Sequence, residues 1–149
     1  MTSSVRCCGI IRLEMMNSMN KYEKLLERAS SVNVSVHEYN LGESSLEGLY
    51  YDNNIALSNK IETTNRKACI VAEELGHHYT TAGNILNTGD IGSLKQEYQA
   101  RKWAYEEMIP RSDILAAIEA GCREIWEISE YLDVDEQFLR DALVYYGFI

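Results

Sequence analysis

Proline occurs once in the 149 residues, at Pro110. No proline-rich linker, internal repeat or low-complexity tract divides the chain. The four cysteines, Cys7, Cys8, Cys69 and Cys122, contain no C-x-x-C pair, which excludes a zinc finger. A disulfide framework is not needed at this length, so they read as free thiols of a cytoplasmic protein. Long apolar runs are missing as well. Val5 to Leu13 is mildly apolar but is broken by Arg6 and Arg12, so it is neither a signal peptide nor a membrane anchor. Basic residues are scarce: 14 Lys and Arg stand against 23 Asp and Glu, for a net charge of -9. Such a surface repels phosphate backbones, which excludes non-specific nucleic-acid binding and favours a basic protein partner.

What is present is a globular composition, 46% hydrophobic and 25% charged, enough for one core without covalent staples. The confident pattern starts at Met19, and residues 1–18 are expected to be a disordered extension. Lys21 to Ser31 has Tyr22, Leu25, Leu26 and Ala29 at helical spacing. Val32 to Tyr39 alternates as a strand does. Leu46 to Tyr51 and Ile55 to Leu57 flank Asp52-Asn53-Asn54, which predicts a β-hairpin. From Thr64 the period changes to that of a helix, expected to end near Gly83. A loop over 84–92 follows. Ser93 to Gln96 fits a capping box that opens the next helix, and Pro110 closes it. Ser112 is placed to cap a short helix ending at Gly121, and Glu124 to Leu132 and Asp135 to Tyr146 resemble a helix-turn-helix unit. The expected class is α+β: a small antiparallel sheet packed against a helix pair, then a helical segment. The division expected is a core over 19–110 and a C-terminal helical subdomain over 111–149 packed on it.

The chemistry concentrates in Glu73-Glu74-Leu75-Gly76-His77-His78. Residues four apart on a helix share a face, so Glu73 and His77 project together and Glu74 lies one step around. This is the geometry of H-E-x-x-H, in which two ligands hold a metal and the intervening Glu is the general base. Here Glu73 stands at the first ligand position. Gly76 costs about 1 kcal/mol inside a helix, which is explained if something packs closely there. A catalytic metal needs a third protein ligand, and Glu97 on the next helix is the candidate. Ala100 and Ala104 on its stripe allow the two helices to approach.

Lys67 to His78 resembles the metal-binding helix of the ImmA/IrrE metallopeptidases. Glu97 to Ala104, with Met108-Ile109-Pro110, resembles their E-x-x-A-x-x-(F/W)-A segment and its closing proline. The resemblance implies Zn²⁺, with Mn²⁺ or Fe²⁺ as alternatives, held by His77, Glu97 and, by position, Glu73, with Glu74 activating water. It implies a protein substrate, a transcriptional repressor of a phage or mobile element. Glu73 departs from the pattern. Two carboxylate ligands would neutralise Zn²⁺ and lower the pKa of its water less, so slower chemistry is expected. If that departure disables the site, the chain would act instead as an anti-repressor that binds without cutting.

His78 has two readings beside a surface one. It can grip substrate or stabilise the oxyanion, or it can pair with Glu74 in a shifted ligand set. His37 reads as structural, and Trp103 and Trp126 as core or interface. Tyr50 and Tyr51 read as sheet residues bordering a cleft where an extended peptide adds to the edge. The C-terminal unit has Arg111, Arg123 and Arg140 against nine acidic residues, and Glu136 and Asp141 lie on its second helix. Protein docking or packing is therefore expected there, not contact with DNA.

Overall fold

The computed structural model describes residues 19–81 and 90–149; the expected extension over 1–18 and the helix stop at Gly83 lie outside the described residues. Helix α1 (Lys21–Ser31) opens with a capping box, in which Asn20 Oδ1 accepts from the Glu23 N–H at 2.8 Å and Glu23 Oε2 accepts from the Asn20 N–H at 3.0 Å. Leu25 and Ala29 form its buried stripe. Strand β1 (Ser35–Tyr39) follows, then β2 (Gly48–Tyr51) and β3 (Asn54–Ser58). Asp52 and Asn53 both take left-handed backbone angles, φ 46° and 59°, the requirement of a tight two-residue hairpin turn. The hairpin expected from Asp52-Asn53-Asn54 is thus formed.

The class is α+β, as the sequence implies, but the sheet is mixed and not wholly antiparallel. Its order is β1-β3-β2, with β2 antiparallel to β3 and β1 parallel to β3. Residues 40–47 carry the chain past the place beside β1, and the hairpin then returns β3 into it. Alternation within β1 is the same whichever neighbour it takes, so the sequence does not reveal this order. Ile55 and Leu57 of the central strand are fully buried.

Helix α2 (Thr64–Thr81) lies across the sheet and against α1. Its buried hydrophobic residues are Ala68, Cys69, Ile70, Val71, Ala72 and Leu75. Helix α3 (Asp90–Met108) makes the most extensive contact with it. Since α3 is already helical from Asp90, Ser93 lies inside it and is not the cap expected there. Helix α4 (Arg111–Glu119) has Pro110, not Ser112, at its N-cap position; the fixed φ of proline suits a helix entrance and supplies the break in one residue. Helices α5 (Ile125–Leu132) and α6 (Glu136–Tyr145) are joined through Asp133, φ 51°, and Asp135 caps α6 by accepting from the Phe138 N–H. Leu25, Leu75, Ile109, Ile114, Phe138 and Leu139, drawn from both segments of the chain, belong to one buried cluster.

Candidate active site

Helices α2 and α3 touch at Gly76. A Cβ built there would collide with the Ala100 carbonyl oxygen and stand 2.9 Å from its carbonyl carbon and 3.0 Å from its Cα. Only glycine lets the two backbones come this close. Ala100 and Ala104, both fully buried, keep the α3 side of the contact thin. The approach has a chemical result: His77 Nε2 and Glu97 Oε1 are 3.3 Å apart, across twenty residues of sequence.

A second face of α2 meets the sheet. Ile70, Glu74 and His78 are spaced by four along the helix, about 6 Å per step. Gly48 and Tyr50 are spaced by two along β2, about 6.6 Å. The two rows are nearly commensurate, and they pair. A Cβ at Gly48 would collide with the Ile70 side chain and lie 3.0 Å from Glu74 Oε1. The Tyr50 hydroxyl is 2.8 Å from His78 Nδ1. Helix α2 therefore divides its polar residues between two neighbours, Glu73 and His77 on the α3 side and Glu74 and His78 on the β2 side.

Strand β2 is an edge. Ser58 N–H donates to the Glu47 carbonyl, so the alternation of an antiparallel ladder turns the N–H groups of Gly48 and Tyr50 away from β3. The backbone N–H of Tyr50 on this edge is the one group that opposes the rise of the Glu74 carboxyl. Burial pushes the Glu74 carboxyl up to about 7, and the nearby Glu73 and Glu97 carboxylates add to this. A carboxyl with affinity for a proton near neutrality suits a general base. Burial also raises the Glu73 carboxyl, opposed by the positive charges of Arg101 and Arg66. Arg66 itself binds Glu47 through two nitrogens, at 2.6 and 2.9 Å, and reaches Asp135 at 3.3 Å. This fork ties the residue before β2 to the N-cap of α6.

Of the residues singled out in the sequence, His77 and Glu97 are brought together, and Glu74 and His78 lie beside them on the β2 face. Glu73 lies where the positive charges of Arg101 and Arg66 and the negative charges of Glu97 and Glu47 all act on it. Among the described residues, no three His, Cys, Asp or Glu side chains converge as a ready metal-binding group. His77 and Glu97 still suit a shared cation: two atoms each about 2.0–2.2 Å from a tetrahedral zinc stand roughly 3.3–3.6 Å apart. His37 is exposed on β1, across the central strand from β2, in edge contact with Tyr39. Trp103 stacks on Tyr79 at 4.8 Å, with the Arg28 guanidinium over both rings.

Reading the sequence alone missed the roles of Gly48, Arg66 and Arg101 and left Tyr50 as a general cleft residue. The signal for Gly48 and Tyr50 was their spacing of two opposite a helical row spaced by four. Nothing local marks Arg101 or Arg66, whose partners come from distant segments.

A family model described as the IrrE N-terminal-like domain, of a peptidase family, matches residues 29–143. No curated protein and no solved structure matches the chain. The matched span runs from the end of α1 to α6 and contains both faces of α2 and all of α3.

Proposed function

Since the chain belongs to the IrrE N-terminal-like family of peptidases, whose metallopeptidase chemistry implies a divalent metal, we propose that it is a zinc-dependent endopeptidase acting on a repressor protein. The 3.3 Å approach of His77 Nε2 to Glu97 Oε1 carries this reading. Imidazole nitrogen and carboxylate oxygen are a normal donor set for Zn²⁺, and Mn²⁺ or Fe²⁺ are the alternatives in an oxygen-rich site. Glu73, one turn before His77 on the same face, is the third donor.

A divalent cation held by His77, Glu97 and Glu73 would supply Lewis-acid polarisation of a scissile carbonyl and of an attacking water. Glu74 takes the proton of that water and passes it to the leaving amine. The absence of a side chain at Gly48 leaves room for the Glu74 carboxylate against the strand. The free edge of β2 offers an extended substrate a backbone to pair with, beside the base. The acidic chain suits a basic, DNA-binding substrate better than DNA itself. No described helix is long and apolar enough to cross a membrane.

A second reading has one observation in its favour: among the described residues no three His, Cys, Asp or Glu side chains converge around His77 and Glu97. On that reading the chain binds a repressor without cutting it. Elemental analysis decides first. One equivalent of zinc in the purified protein, lost in His77→Ala, supports the peptidase. No metal after reconstitution with zinc and manganese supports the binder. A Glu74→Gln variant that keeps partner binding and loses cleavage then separates the two at the level of chemistry.

A further inference from the structure

The hydroxyl of Tyr50 has two neighbours and one proton. Asn53 Oδ1 lies 3.1 Å from it and His78 Nδ1 lies 2.8 Å from it. The amide oxygen has no proton to give, so it accepts the Tyr50 O–H. The Tyr50 oxygen is then an acceptor toward His78, and Nδ1 must be the donor. A neutral imidazole has one N–H, so Nε2 is left with its lone pair.

We propose that Tyr50, held by Asn53, is a positioning residue that fixes His78 as its Nδ1–H tautomer and leaves Nε2 an acceptor. The consequence narrows the choice for His78 within the peptidase reading, on which this role depends. An acceptor nitrogen can take a hydrogen bond from a peptide N–H or bind a cation. It cannot donate to an oxyanion without first gaining a proton. Metal-ligating histidines are held by the same device, with the other ring N–H donated to a fixed acceptor.

The local structure supports a rigid holder. Tyr50 is on β2, paired with Ile55 of the central strand. Asn53 is at the hairpin turn with φ 59°, so its side chain is placed by the tightest part of the hairpin. The His78 ring meets two aromatic neighbours edge-on, Tyr50 with centroids 5.6 Å apart and Tyr79 at 5.3 Å. The ring orientation is therefore set by packing, and its proton by the Asn53–Tyr50 pair.

The chain has three histidines, so a proton–nitrogen correlation spectrum of the imidazoles is assignable with a His78→Gln control. It is recorded on the full-length protein as purified, at a pH above the ordinary imidazole range. The wild type is expected to have the His78 proton on Nδ1. Tyr50→Phe removes the acceptor, and the proton should move to Nε2, the form favoured by a free imidazole. Asn53→Gly keeps a residue that accepts positive φ and frees the tyrosine proton, so a mixture of tautomers is expected. Asn53→Asp offers only acceptor oxygens and should retain the wild-type form. A wild-type proton on Nε2, or a tautomer indifferent to Tyr50→Phe, overturns the proposal. Because the readout is a resting tautomer, it fails or stands independently of whether the protein cleaves anything.

Discussion

Replacing Gly76 with alanine sets two effects against each other. At a solvent-facing helix position, Gly→Ala stabilises by about 1 kcal/mol through helix propensity and a less flexible unfolded chain. At Gly76 the added methyl meets the backbone carbonyl group of Ala100. Overpacking a buried contact costs typically about 1–3 kcal/mol, and backbone cannot swing aside as a side chain does. The net expectation is a loss of about 1–2 kcal/mol, or a few degrees in Tm for a domain of this size. Helix α3 must also shift, and Glu97 precedes Ala100 by less than one turn, so the 3.3 Å approach to His77 should open. Zinc affinity should therefore fall together with stability. Thermal unfolding and zinc titration of Gly76→Ala measure both. Because the clash is with backbone atoms, adding Ala100→Gly should not restore either property. A Gly76→Ala protein that melts at or above the wild-type temperature, or is rescued by Ala100→Gly, would refute the close-approach reasoning.

Two further outcomes follow from charges placed by the fold. The Glu74 carboxyl is raised from 4.5 to about 7, so the metal-free folded state binds its proton more tightly than the unfolded chain does. That stability is present below pH 4.5 and lost as pH rises to 7, at most roughly 3 kcal/mol from the 2.5-unit interval. Urea unfolding of metal-free Glu74→Gln should thus show it gaining on wild type between pH 5 and pH 8; a difference that stays constant with pH would contradict the burial. Arg66→Met leaves Glu47 and Asp135 without their shared cation; because these groups are partly exposed, a loss of only about 1 kcal/mol is expected. A double-mutant cycle with Asp135→Asn should show coupling, and strict additivity would mean the Arg66–Asp135 bridge contributes nothing.

The path from sequence to site was clear where one helix carried the information. The spacing of Glu73, Glu74, His77 and His78 declared two adjacent faces, and Gly76 with Ala100 and Ala104 announced a close helix contact. The hairpin was legible from Asp52-Asn53, since few residues accept positive φ at both turn positions. Elsewhere local signals misled: a capping-box pattern at Ser93 lies within α3, because a pattern of side chains marks a possible start and not the real one.

The sequence by itself determined the elements, the α+β class, and the glutamates and histidines that α2 presents on each side. These depend on backbone preference and on the 3.6 and 2.0 periods, which are properties of consecutive residues. Only the tertiary structure decided what each face meets. The parallel pairing of β1 with β3, the fork of Arg66 on Glu47, and the hydrogen bond between Tyr50 and His78 all join residues that no local period relates. Such pairings are chosen by the burial of the whole core, which fixes distant segments against one another at once.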